Sequence, residues 1–160
     1  WANSSEKTVG LIVSILLIQI VAIFGAILTA RASERYGNIP VLIAINLIWV
    51  ALCIVAYYTR TPLQFYSVAG FVGLVMGGLQ SLSRSTYSKM IPDTPDTTSF
   101  FSFYDVTEKI GIVIGMICFG LIDHISGSMR NGILFFILFF IFGIFMLLRI
   151  PKISVANLES

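Results

Sequence analysis

Four stretches of this chain contain no Asp, Glu, Lys or Arg for 18 residues or more, and that pattern constrains the fold more than any other feature. Lys7 and Arg31 bracket 23 uncharged residues, Arg35 and Arg60 bracket 24, Arg60 and Arg84 bracket 23, and Arg130 and Arg149 bracket 18. A hydrocarbon layer about 30 Å thick is crossed by roughly 20 helical residues at 1.5 Å each, so each stretch can cross once. The predicted spans lie near residues 9–30, 40–59, 63–83 and 131–149, with Gly37 and Pro40, Thr61-Pro62 and Pro151 as punctuation. A fifth span is predicted near 98–123. Its apolar run from Ile110 to Ile122 is only 13 residues long. Phe100, Phe101, Phe103 and Tyr104 extend it upstream, and Asp105, Glu108 and Lys109 interrupt it.

Composition excludes the other classes. Of 160 residues, 57% are hydrophobic and 11% charged, with a mean hydropathy of +0.93. So few charges cannot cover the wet surface of a soluble domain of this size. With 13 Gly, 5 Pro and 2 Cys in no repeating pattern, the chain is neither collagen-like, nor disordered, nor a disulfide scaffold. Cys53 and Cys118 sit in apolar stretches and read as small buried hydrophobes. The basic residues are dispersed singly, which is no nucleic-acid footprint. No HExxH, GxSxG or P-loop occurs, and His124 beside Asp123 has no partner at metal-ligand spacing. The reading is an all-α integral membrane domain with about five transmembrane helices, not an enzyme, with no catalytic residue, cofactor or metal.

Five spans place Arg31, Arg35, Arg84, Lys89, Arg149 and Lys152 on one side of the membrane, and Lys7, Arg60 and Arg130 on the other. The positive-inside rule makes the richer side, and with it the C-terminus, cytoplasmic. Without the fifth span near 98–123 the C-terminal basic residues would fall opposite Arg84 and Lys89, weakening this bias. The chain opens on Trp1, and an odd number of spans entering from outside suggests a sixth helix before it. On that expectation the chain is a fragment of a longer membrane protein. A second reading makes it a complete small polytopic protein with a structural or assembly role.

Three passages resemble one superfamily. Ala30-Arg31-Ala32-Ser33-Glu34-Arg35-Tyr36-Gly37 resembles the loop motif of major facilitator transporters, G-x-x-x-D-R-x-G followed by basic residues. Arg35 and Gly37 match; Ala30 replaces the first Gly, Glu34 replaces Asp, and Asn38 and Ile39 replace the trailing bases. The second passage is Gly77-Gly78-Leu79-Gln80-Ser81-Leu82-Ser83-Arg84-Ser85, closing with Ile91-Pro92. The third is Phe100-Phe101-Ser102-Phe103-Tyr104-Asp105-Val106, then Lys109. Together the latter two are similar to the pattern G-G-x-Q-x-L-S-R-S … I-P … F-F-x-x-Y-x-V-x-x-K of the vacuolar amino-acid effluxer-like family within that superfamily. The resemblance implies the C-terminal six-helix bundle of a major facilitator fold lacking its first helix. It also implies secondary active transport of a small polar solute, with amino acids as the substrate class. The implied partners are membrane lipid, the N-terminal half of the same transporter, the solute and a coupling proton. The implied location is a bacterial inner membrane or a vacuolar-type membrane.

Ionisable and amide side chains at membrane depth are costly, so they usually face a bundle interior or cavity and pair. Gln19, deep in the first span, is expected to face a neighbouring helix through a hydrogen bond, or the cavity that this helix lines in the superfamily. Gln80, Ser81 and Tyr104 lie in the family motifs as cavity candidates. Asn46 reads as packing. Glu34 and Arg35 of the loop motif, with Arg84, Asp105, Glu108 and Lys109, are gate or coupling candidates. Asp105 and Lys109 are four apart on one helix face, and Glu108 neighbours Asp105. Three roles compete for this cluster: a cytoplasmic gate network, a proton carrier on Asp105 or Glu108, and a static pair near the headgroups. Gly73 and Gly77, spaced by four, are expected to form a groove for another helix, with Gly111, Gly115 and Gly120 as the facing surface. The Phe-rich last span reads as a lipid-facing outer helix.

Overall fold

A computed structural model describes residues 4–127 and 129–150. Trp1, Pro151 and Lys152, used above, lie outside the described residues. Five helices follow one another: α1 Ser4–Tyr36, α2 Asn38–Tyr58, α3 Pro62–Ser88, α4 Thr97–Ser126 and α5 Met129–Leu148. Each is long and apolar enough to cross a membrane. Helix α1 has 33 residues, and at 1.5 Å per residue it measures about 50 Å, well beyond a hydrocarbon core. Its last turns therefore carry Arg31, Glu34 and Arg35 outward as helix. The passage expected to be a loop after the first span is helical as far as Tyr36. Charge marks where the apolar stretch ends, but nothing in Ala30–Tyr36 stops the backbone hydrogen bonds from continuing.

The break comes at Gly37. Its φ of 86° lies in the left-handed region that glycine enters without a Cβ penalty, and its amide donates to the Ser33 carbonyl at 2.8 Å. One residue therefore reverses the chain, and Pro40 falls inside the first turn of α2 rather than between the spans. At the start of α3, Thr61 and Gln64 form a reciprocal capping box. The Gln64 amide donates to Thr61 Oγ1 at 3.4 Å, and Gln64 Oε1 accepts from the Thr61 amide at 3.2 Å. Asp96 caps α4, with its carboxylate accepting from the Ser99 amide at 3.2 Å and the Ser99 hydroxyl at 2.7 Å. Those two bonds hold the Asp96 carboxyl below the usual carboxylate range. A lowered value means the ionised cap stabilises the helix start fully above that range, and the benefit disappears as pH falls through it. The protection factor of the Ser99 amide, its intrinsic exchange rate divided by the observed rate at the same pH, should fall on acidification in the native protein. In Asp96→Ala that protection should already be low at neutral pH and change little with acidification.

Side-chain contacts show the alternation of direction. Residues of α1 meet residues of α3 in the same order along both helices: Leu17 lies by Gly70, Ile18 by Gly73, Ala22 by Gly77 and Thr29 by Gly78. The two helices are therefore parallel and closely packed. Helix α2 runs against α5, with Trp49 stacked on Phe140 at 5.1 Å and Asn46 facing Gly143. Helix α5 runs against α4, where Phe119 stacks on Phe136 at 5.6 Å. The buried core is Val41, Leu42 and Ile45 of α2 with Val75 and Leu82 of α3, and Leu147 of α5 packs on it. Helix α4 has no buried residue.

Two expectations are corrected here, and for Gln19 one of two alternatives drops out. The groove of Gly73 and Gly77 is filled by α1, whereas Gly111 and Gly120 have nothing within 4 Å of an added Cβ and Gly115 meets only Phe136. Spacing identifies a small-residue face but not the helix that enters it, and the parallel neighbour supplies Gly25 for the closest approach. The last span is not wholly lipid-facing, since Phe136 and Phe140 stack on α4 and α2 while Phe142 and Phe145 remain exposed. Gln19 makes no interhelical hydrogen bond among the described residues and is exposed. The seam of α1 is Ile18, Ala22 and Gly25, and one residue along a helix turns a side chain by about 100° away from it. Asn46 does pack: it is buried, and its Nδ2 donates to the Leu42 carbonyl at 2.8 Å.

Candidate functional site

The alternating directions gather the C-terminal ends of α1, α3 and α5 and the N-terminal ends of α2 and α4 at one end of the bundle. Arg31, Arg35, Arg84, Lys89 and Arg149 lie there, with Asp105, Glu108 and Lys109. This basic end holds most of the polar contacts between helices.

Helix α4 is fastened to α3 by three interactions within one turn of each other. Tyr104 Oη donates to Ser83 Oγ at 3.0 Å, and Tyr87 Oη donates to the Phe100 carbonyl at 3.0 Å. The rings of Tyr87 and Tyr104 sit 4.9 Å apart. Beside them, Arg84 Nη2 lies 3.3 Å from Asp105 Oδ1, with the two side chains 56% and 47% exposed. The Arg84 guanidinium also stands over the Phe101 ring at 5.7 Å. Ser83 and Tyr87 are four apart on α3, as are Phe100 and Tyr104 on α4, so each pair shares a helix face and the two faces meet.

The charge pairing differs from the one expected within α4. Asp105 does not pair with Lys109; it reaches across to Arg84, and Lys109 Nζ lies 4.0 Å from Glu108 Oε2. A cation on a second helix captures Asp105, leaving Lys109 to its neighbour. Glu34 and Arg35 are exposed on the last turns of α1, with Arg35 over the Tyr36 ring at 5.5 Å. Neither enters an ion pair among the described residues.

A second tie joins α2 to α3 and was not anticipated. Asn38 Nδ2 donates to Thr86 Oγ1 at 3.0 Å, Thr86 Oγ1 donates to the Leu82 carbonyl at 2.6 Å, and Lys89 Nζ donates to Asn38 Oδ1 at 3.1 Å. The sequence alone marks Lys89 only as a topogenic charge. The available signal was Asn38 directly after the Gly37 reversal, which brings the start of α2 to the end of α3. Gln80 and Ser81 lie just before Arg84 on α3. Like Gln19, they are exposed and make no side-chain hydrogen bond among the described residues. Tyr104, by contrast, is half-buried and committed to Ser83. No group of three or more His, Cys, Asp or Glu that could hold a metal occurs among the described residues.

The profile of a family described as vacuole effluxer Atg22 like matches residues 3–154. An uncharacterized MFS-type transporter, YxiO, of Bacillus subtilis (strain 168) is 28% identical over 142 residues, covering 89% of this chain and 33% of that protein. Autophagy-related protein 22 of Eremothecium gossypii is 34% identical over 149 residues, covering 86% of this chain and 29% of its own. The same-named protein of Vanderwaltozyma polyspora is 29% identical over 174 residues, covering 96% and 30%. The chain spans about a third of the length of these curated relatives. No solved structure matches.

Proposed function

We propose that this chain, which belongs to the family of Atg22-like vacuole effluxers, is the second bundle of a major facilitator secondary transporter. The whole protein would move a small polar solute, with amino acids as the substrate class, by alternating access. The observation that carries this reading is the match over residues 3–154, reinforced by a relative that is itself an MFS-type transporter. Gln19, Gln80 and Ser81 support it, being amide and hydroxyl groups turned out of the bundle. A facing half and a polar solute would give them partners. The basic end is cytoplasmic on this reading.

Among the three roles open for the charged cluster, the geometry favours the gate. A shared proton needs two carboxylates facing one another, but Asp105 and Glu108 are each engaged by a different cation. A permanent anchor is already supplied by the Tyr104–Ser83 and Tyr87–Phe100 bonds. The half-exposed Arg84–Asp105 pair is of the kind worth about 0–1 kcal/mol. An interaction that weak can break and re-form on every cycle.

The test is transport by the full-length protein in sealed vesicles, using a panel of labelled amino acids. Saturable, inhibitor-competable movement of at least one of them is expected. A stable, correctly inserted protein that moves none of them, in either direction and with or without a proton gradient, would return the chain to a structural role.

A further inference from the structure

At the end of the bundle opposite the basic cluster, α2 and α3 line an open groove of about 620 Å³. That volume is within the range of small-molecule sites, roughly 300–1,000 Å³. Its walls are Leu52 and Val55 of α2 and Leu63, Val68 and Phe71 of α3. Tyr58 and Gln64 lie at the end nearest the turn that joins the helices, and Arg60 sits in that turn. Gln64 is already occupied, because its Oε1 accepts from the amides of Arg60 and Thr61. The Arg60 side chain is exposed and makes no ion pair or hydrogen bond among the described residues. No Asp or Glu occurs between Tyr36 and Asp93, so neither helix of the groove offers it an acid.

An apolar slot between transmembrane helices, with a tyrosine at one end and, in the adjoining turn, an arginine that has no acidic partner among the described residues, has the charge and polarity order of a phospholipid. We propose that this groove binds one phospholipid. An acyl chain lies along Val55, Val68 and Phe71, and the headgroup phosphate sits on Arg60. Arginine suits this role because its fork binds phosphate oxygens in pairs, and Tyr58, 70% exposed, supplies an amphipathic ring at the level where such rings gather. The inference rests on membrane insertion alone and does not depend on what the protein transports.

The full-length protein, delipidated in detergent, is titrated with phosphatidylglycerol and bound lipid is counted by native mass spectrometry. Diacylglycerol with the same chains and inorganic phosphate serve as comparison ligands. One retained phosphatidylglycerol is expected, bound more tightly than diacylglycerol and not displaced by equimolar phosphate. Arg60→Gln should weaken phosphatidylglycerol about tenfold, the scale of one charge-assisted phosphate contact, and leave diacylglycerol unchanged. Ser67→Phe, which places a ring in the groove from an exposed position of α3, should weaken both. Val55→Phe fills the groove from the opposite wall and serves if the first variant does not fold. Equal lipid retention in all variants overturns the proposal, as does equal affinity for the two lipids or displacement by phosphate. A dimer that Ser67→Phe dissociates without changing lipid count overturns it too, by assigning the groove to a second copy.

Discussion

Gly77→Ala and Gly25→Ala should each lower the thermal stability of the full-length protein in detergent by far more than Gly111→Ala or Gly120→Ala. A methyl group on Gly77 would fall on the Ala22 carbonyl oxygen and 2.7 Å from its carbonyl carbon. One on Gly25 would fall on the Leu74 carbonyl oxygen and 2.6 Å from its carbon. Backbone atoms within a helix cannot rotate out of the way as a side chain can, so relief requires α1 and α3 to separate along the whole seam. Overpacking a tight contact costs about 1–3 kcal/mol, and these two positions belong at the upper end. Gly111 and Gly120 have nothing within 4 Å of an added Cβ. There, alanine instead gains up to about 1 kcal/mol of helix propensity. The sign of the effect should therefore reverse between the two pairs. Melting curves that move together for all four variants would show that α1 and α3 are not held by this approach.

That contrast also marks how much of the structure is legible in the chain. The 3.6-residue period reveals that Gly73 and Gly77 lie on one face and that such a face receives a helix. It does not name the helix, because every neighbouring span is apolar enough to sit in lipid and lipid removes the hydrophobic bias that would rank them. Only the packed bundle shows that Gly25, an unremarked residue on α1, completes the contact. Helix ends suffer a related loss. Charge at Arg31 marks the limit of the apolar stretch, yet the backbone stays helical to Tyr36 and turns only at Gly37, where φ reaches 86°. The same ambiguity governs the polar cluster. Arg84, Asp105, Glu108 and Lys109 stand out in sequence because charges are rare, but their pairing is decided by which helix end lies across from which. Asn38, Thr86 and Tyr87 carry no charge, and their roles emerge only once Gly37 and the Pro-rich turn before α4 have folded the ends together.

On the gate reading proposed above, Asp105→Asn and Arg84→Gln should each slow transport by the full-length protein roughly fivefold, the factor that about 1 kcal/mol moves a two-state equilibrium. The double exchange of Arg84→Asp with Asp105→Arg should recover most of the rate. The argument is geometric. Besides the ion pair, neutral hydrogen bonds and ring contacts hold α4 to α3 at the basic end, among them Tyr104–Ser83, Tyr87–Phe100 and the paired rings of Tyr87 and Tyr104. Removing the ion pair therefore leaves the helices attached, so thermal stability should change little while the closed arrangement loses its bias. A static anchor gives the opposite pattern, with lower melting temperature and unaltered transport, and the charge exchange would restore stability rather than rate. Tyr104→Phe provides the control, because it deletes the hydroxyl that reaches Ser83 at 3.0 Å and leaves the Arg84–Asp105 pair in place. It should cost stability more than turnover. Glu108→Gln separates the remaining possibility: with Glu108 paired to Lys109 on its own helix at 4.0 Å, its neutralisation should leave the response of transport to a proton gradient as it was. Loss of that response in Glu108→Gln, with the Arg84 and Asp105 variants unimpaired, would move the chemistry from the gate to a proton site one turn further along α4.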